Sequence, residues 1–333
     1  MCKTCPKDDS ATTAQRTAFW KKAIELSDQT NLQIEDGAHC WVCLDGDDLM
    51  EGDDSSNTST PSQLIRGCAC RGTGGYAHPE CVANWAYKED EKHYTGTAMN
   101  SFNYWSTCPT CRESYTGTMA LRISEILWRQ IQHSKHPLSS VRYLDALANH
   151  AKAVLCNGDA ELAQELYAHL IDLTRQHGVR LHNSDNLTKM AICKQFLGEF
   201  DAVPPLLDEA MQIIVEERGT DSSEAMFIRY SYIQYFYNIG QIQRAIPLID
   251  KVEAKKDVFL KPDDPRSIRI TNTLAMVQCE LGDDDKAQRY GKDSYERSKR
   301  VLGEHHPETL RYRGYLDSIE RMVRQRRTKR QRC

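Results

Sequence analysis

The chain has 333 residues, 40% of them hydrophobic and 27% charged, with a formal net charge of −4. That length accommodates two or three modules and that composition fits a folded protein, not a fibrous or disordered one. The small net charge argues against affinity of the whole chain for nucleic acid or membrane, and no apolar run approaches the ~18 residues of a spanning helix.

The opening residues, Met1 to Pro6, lack the apolar stretch of a signal peptide. We therefore read the 13 cysteines in a reducing, cytoplasmic setting, where disulfides rarely persist. Seven of them, together with His78, fall in pairs from Cys40 to Cys111, while Cys156, Cys193 and Cys279 are widely spaced. That is the distribution of a metal site and not of a disulfide framework.

In chain order, residues 1–35 form an N-terminal segment. Phe19, Ala23 and Leu26 recur at helical spacing beside Trp20 and Ile24, predicting a short amphipathic helix over 12–28. Cys2-x-x-Cys5 has ligand spacing but no second pair nearby, and reads as no site.

Residues 36–116 hold the cysteine-rich module. The ligand order is Cys40-x-x-Cys43, Cys68-x-Cys70, His78-x-x-Cys81 and Cys108-x-x-Cys111. A zinc ion takes four soft or borderline ligands in a tetrahedron, and one tight turn can present two of them. Four such pairs make two closed sites, so two zinc ions would be structural, with no position left for a catalytic water. An acidic cluster of Asp45, Asp47, Asp48, Glu51, Asp53 and Asp54 runs into a polar stretch, and residues 51–61 read as a disordered loop. His93 lies between the third and fourth pairs, and with eight ligands complete it has no metal role.

This arrangement resembles the RING-CH variant of the RING finger, also through the phrase His78-x-x-Cys81-x-x-x-Trp85. The resemblance implies interleaved sites: Cys40, Cys43, His78 and Cys81 around one zinc, and Cys68, Cys70, Cys108 and Cys111 around the other. It further implies a ubiquitin ligase that docks a ubiquitin-charged conjugating enzyme on Val42, Trp85 and Pro109. Arg112, directly after the last ligand, is the expected catalytic residue, since a basic side chain there hydrogen-bonds both enzyme and ubiquitin in many RING fingers. The rival readings are a PHD-type chromatin reader, which shares the ligand order but places its tryptophan differently from Trp105, and a non-catalytic scaffold.

Residues 117–132 read as a connecting helix, and residues 133–325 repeat. Gly158, Gly198, Gly240 and Gly282 stand 40, 42 and 42 residues apart. Seven positions before them are Ala151, Ala191, Ile233 and Ala275; five after are Ala163, Val203, Ala245 and Ala287; eight after are Leu166, Leu206, Leu248 and Tyr290. Small residues at matched places on consecutive helices let the helices approach closely, and stacked pairs bury what one pair cannot. Pro265 and Pro307, also 42 apart, mark helix starts. The spacing, with the phrase from Leu302 to Leu310, resembles tetratricopeptide repeats of the kinesin-light-chain type. The expected fold is thus a small zinc-stabilised α+β domain followed by an all-α tetratricopeptide-repeat solenoid with a capping helix. Its concave face would recruit a protein substrate or adaptor. The tail, 326–333, is basic and reads as solvated, with nuclear import as its alternative role.

Overall fold

The computed structural model describes residue 34 and residues 36–46, 63–70, 72–93, 103–134, 136–138, 140–304 and 306–332. The expected N-terminal helix, Cys2 and Cys5, and the acidic loop over 51–61 lie outside them.

The N-terminal domain is built on a two-stranded antiparallel sheet, β1 (Ile65–Arg66) and β2 (Tyr76–Ala77), in which Ile65 pairs with Ala77 and Arg66 with Tyr76. The loop between the strands carries Cys68 and Cys70. Arg66 ties it down: its guanidinium lies over the Tyr76 ring and donates to the carbonyls of Cys70 (3.2 Å) and Gly72 (2.5 Å). Gly75 must be glycine here, because a Cβ would come within 2.9 Å of Arg66 Nε and 3.0 Å of the Cys70 carbonyl oxygen.

Helix α1 (Pro79–His93) follows β2 directly, and α2 (Asn103–Ser106) is one short turn that buries Trp105. Helix α3 (Gly117–His133) buries Met119, Ile123, Leu127 and Ile131 on one face, the 3.6-residue stripe of an amphipathic helix. It packs against α1, α2 and β1 on one side and α4 (Val141–Cys156) on the other.

From α4 onward the chain forms four antiparallel helix pairs resembling a tetratricopeptide solenoid. They are α4 with α5 (Ala160–Gln176), α6 (Arg180–Leu197) with α7 (Val203–Arg218), α8 (Ser223–Asn238) with α9 (Ile246–Phe259), and α10 (Pro265–Leu281) with α11 (Asp284–Leu302). Helix α12 (Pro307–Arg332) covers the last pair. Each repeat glycine sits in the turn within a pair, with φ between 73° and 92°, the left-handed region that closes a helix. The eight positions flanking those turns, from Ala151 through Ala287, are all 0% exposed, Ile233 and Val203 included.

The pairs are not identical. In the first and fourth, an aspartate N-cap (Asp159, Asp283) starts the second helix within two residues of the glycine, its carboxylate accepting from the N–H of Leu162 or Lys286. In the second and third, a 3₁₀ turn intervenes (Phe200–Ala202, Ile242–Ala245) and proline in the first turn begins the helix. A proline there loses no hydrogen bond.

Helix α12 continues to Arg332, so the basic stretch is helical. Arg326 pairs with Asp284 at 2.7 Å and donates to the Cys279 sulfur, and Arg327 approaches Asp285 at 3.6 Å. Buried apolar side chains form one continuous cluster from Cys40 to Val323.

Candidate metal centre

Two turns frame the site, and they are built alike. In the first, the Cys40 N–H donates to the Asp45 carbonyl (2.8 Å) and the Leu44 N–H to the Cys40 carbonyl (2.7 Å). In the second, the Cys108 N–H donates to the Glu113 carbonyl (2.9 Å) and the Arg112 N–H to the Cys108 carbonyl (3.0 Å). Each loop folds two sulfurs to one side, as a Cys-x-x-Cys pair must to share a metal. The Trp41 N–H donates to the Tyr76 carbonyl, which ties the first turn to β2.

The other donors come from regular structure. Cys68 and Cys70 lie on the loop after β1, His78 between β2 and α1, and Cys81 in the first turn of α1. The donors converge in two groups: Cys40, Cys43, His78 and Cys81, and Cys68, Cys70, Cys108 and Cys111. Within each group all ligand atoms lie within 4.8 Å of one another. His78 turns Nδ1 inward, 3.5 Å from Cys43 Sγ and 3.7 Å from Cys81 Sγ, and the Cys70 and Cys108 sulfurs are 3.7 Å apart. A zinc tetrahedron with Zn–S of ~2.3 Å and Zn–N of ~2.0 Å needs separations of about 3.5–3.8 Å. The donor chemistry and the spacing both fit, so the domain holds two clusters able to bind two zinc ions. With every coordination position filled by protein, bound zinc would supply folding energy and no reaction chemistry.

Electrostatics point the same way. Burial pushes the Cys70 and Cys81 thiols up to about 12. The hydrogen bond with Cys108 and then burial push Cys68 far up, while the same bond draws Cys108 down to about 4. Without a cation, Cys108 favours the thiolate while Cys68 and Cys70 resist it. A divalent ion removes that repulsion.

The residues expected to meet a conjugating enzyme lie around these turns. Val42 and Pro109 are half-buried, one in each Cys-x-x-Cys turn, and Arg112 is exposed. Arg112 has φ of 64°, and Leu44, its counterpart in the first turn, has 68°. Trp85 is half-buried on α1, edge-on to Trp41 at 5.5 Å and to Tyr104 at 5.8 Å. Trp41 and Tyr104 were not singled out from the sequence. Trp41 stands inside the first ligand pair, the signal that could have found it. His39 is exposed and bonds the Gly37 carbonyl, and His93 meets Tyr104 and the Glu89 carbonyl outside both clusters.

The repeats present a second surface. An open cleft between α6, α8 and α10 is lined by Ile192, Phe196, Gln234, Asn238, Thr273 and Met276. Ile192, Gln234 and Met276 each stand six residues before their repeat glycine, and Lys152 holds that register on α4. Bonds rung the face: Asn238 Nδ2 to Gln195 Oε1 at 2.9 Å, and Tyr230 Oη with Thr273 Oγ1 at 2.9 Å. Lys152 stays accessible yet crowded by protein. Burial pushes its ammonium below the ordinary value, and the Lys189 and Arg269 cations add to that.

Residues 40–111 match the family described as the RING-variant domain. No curated protein matches the chain. Among solved structures, the chain is similar to TPR-like repeats from Podosopora anserina described as kinesin light chain, at 16% identity over 67% of this chain and 98% of that one, with a TM-score of 0.41. It is also similar to BtubC (BKLC) from P. vanneervenii, at 15% identity over 61% of this chain and 87% of that one, with a TM-score of 0.42.

Proposed function

We propose that the chain is a RING-type ubiquitin ligase whose finger docks a ubiquitin-charged conjugating enzyme and whose repeats recruit a protein substrate or adaptor. The observation that carries the reading is the pair of matched turns. They keep Val42 and Pro109 partly open, one in each turn, and leave Arg112 exposed. The match of residues 40–111 to the RING-variant domain supports it.

In the reaction, the amine of an acceptor lysine attacks the thioester carbonyl of the charged enzyme. A C–N bond forms, the C–S bond breaks, the enzyme's cysteine leaves as thiolate, and the amine gives up a proton to solvent. The ligase contributes no nucleophile. It acts by holding the thioester in one reactive pose, which converts a loose encounter into an oriented one. Val42, Trp85 and Pro109 supply the apolar contact, and the Arg112 fork bonds enzyme and ubiquitin together. On the repeats, the neighbouring cations Lys152, Lys189 and Arg269 favour an acidic partner. No described helix is long and apolar enough to cross a membrane, and we place the ligase in the cytoplasm.

The test is discharge of ubiquitin from a panel of charged conjugating enzymes onto free lysine. Intact chain should accelerate it, and Val42→Ala and Trp85→Ala, checked for retained zinc, should abolish the acceleration. No acceleration across a broad panel overturns the ligase reading and leaves the non-catalytic scaffold.

A further inference from the structure

Helix α1 carries three features in ten residues: Cys81 in a donor cluster, Trp85 between two aromatic rings, and Asp90 on the side facing the repeats. Asp90 is 3% exposed. Its Oδ2 lies 2.5 Å from Nη2 of Arg142, in the first turn of α4, and the two side chains are 4% and 11% exposed. Burial raises the Asp90 carboxyl, and Arg142 and then the Trp105 indole counter it.

A buried ion pair adds little net stability compared with two apolar side chains of the same size. It does penalise displacement, because any shift that separates the partners leaves a buried charge unpaired. The surroundings make displacement meaningful. Helix α3 is wedged between finger and array: it meets α4 through Trp128 and Tyr143 (ring centroids 5.1 Å apart) and through Ser124 and His150 (3.2 Å). A ring contact can slide and a neutral hydrogen bond can be exchanged, whereas separating a buried charge pair leaves an uncompensated charge. On its far side the finger also neighbours the other end of the array. Glu113 is raised by burial and by Asp264 before α10, and Arg66 is among the cations near His306 before α12.

The geometry points to Asp90 and Arg142 as positioning residues that fix the direction in which the finger presents its docking face relative to the concave groove. The consequence for ubiquitin transfer rests on the ligase reading; the fixed direction does not. A substrate held by the repeats then meets the thioester from one side, and the lysines modified form a narrow set.

The experiment uses the full, zinc-loaded chain with spin labels introduced as unnatural amino acids at Lys88 on α1 and Lys251 on α9, both exposed. The distance distribution is measured for wild type, Arg142→Met, Asp90→Asn, and the apolar pair Asp90→Leu with Arg142→Met. Wild type should give one narrow peak. The variants should at least double its width, with zinc content unchanged and free-lysine discharge within twofold of wild type. Self-ubiquitination should then spread over more lysines of the array. If a single variant loses zinc or unfolds, the apolar pair decides, since it removes both charges and leaves neither partner buried and unpaired. Unchanged width in a folded variant overturns the proposal. Wild type without discharge activity overturns the ligase reading and leaves the distance result standing.

Discussion

Leu44 and Arg112 occupy the same place in two separate turns: each follows the second cysteine of a Cys-x-x-Cys pair, each donates its N–H to the first cysteine's carbonyl, and each has positive φ, 68° and 64°. Neither residue is suited to that conformation, which costs on the order of 1 kcal/mol for a side chain with a Cβ. The conformation is demanded by the turn, and the side chain is there for another reason.

Leu44→Gly should therefore leave zinc content unchanged and raise stability by about 0.5–1 kcal/mol, read as a small increase in the denaturation midpoint. Arg112→Gly should relieve the backbone in the same way, yet cut ubiquitin discharge by roughly tenfold, equivalent to ~1.4 kcal/mol of lost transition-state stabilisation. A loss of activity in a protein no less stable than wild type could not be blamed on folding. Arg112→Gly with full activity would remove Arg112 from the mechanism.

Purified protein should contain two zinc ions, one for each donor cluster. Cys68→Ser should lower the content toward one and should leave Cys43→Ser additive to it. Each site is worth about 10–16 kcal/mol of apparent binding energy in small zinc domains, so a chelator should unfold the finger. Loss of near-ultraviolet signal from Trp41, Trp85 and Trp105 would report it.

His306 is pushed down to about 4 by burial and by the cations Arg311 and Arg66, and its Nδ1 accepts the Glu308 N–H at 3.2 Å. Its folded value lies below the ordinary ~6.5. Between the two values the unfolded chain binds the proton and the native chain does not, so the contribution is complete above ~6.5 and is lost as pH falls toward 4. Allowing for partial exposure, about 2 kcal/mol is at stake. His306→Asn should flatten the pH dependence of the midpoint over this window; an unchanged slope would show that another group titrates.

Gly67 packs so closely on α3 that a Cβ would stand 2.2 Å from the Met119 Cβ. Gly67→Ala has to push the helix and the strand loop apart, at a cost of about 1–3 kcal/mol or more. Thermal denaturation reads the loss, and the bond from the Thr116 N–H to the Gly67 carbonyl (2.8 Å) should become exchange-competent.

Within the repeats, Ala191→Leu should overpack a position with no exposed surface and cost about 1–3 kcal/mol. Ile233→Ala, at the matched place in the next pair, should leave a cavity and cost about 2–5 kcal/mol. Opposite changes in volume that both destabilise would show that the two positions share a register while differing in helix separation.

The repeat architecture was legible because its signals are local and periodic. Gly158, Gly198, Gly240 and Gly282 recur at the turn in each pair, and the residues seven before and five after them are buried, while those eight after are half-buried. The 3₁₀ turns before α7 and α9 were not anticipated, although Pro204, Pro205 and Pro247 mark them. In the finger, ligand types and spacing are visible in the chain, but spacing alone does not say which pairs share a site; that expectation came from a family resemblance. The flanking of Trp85 by Trp41 and Tyr104, and the bond between Asp90 and Arg142, were out of reach. Each joins residues whose separation carries no periodic signal, and each depends on where α2 and α3 come to rest.

Helix α3 belongs to two structures at once, and this gives the array an unusual boundary condition. In a repeat protein each unit is held by its neighbours, so stability at one end is set by whatever caps it. Here the N-terminal cap is not another helix pair but the domain that carries the two donor clusters. Oxidation or demetallation at Cys68 or Cys108 would first free α3, then expose the side of α4 where Tyr143 and His150 meet Trp128 and Ser124, and fraying would advance inward from there. With zinc bound there, the thiol chemistry of the finger would set how far along the chain the groove stays formed.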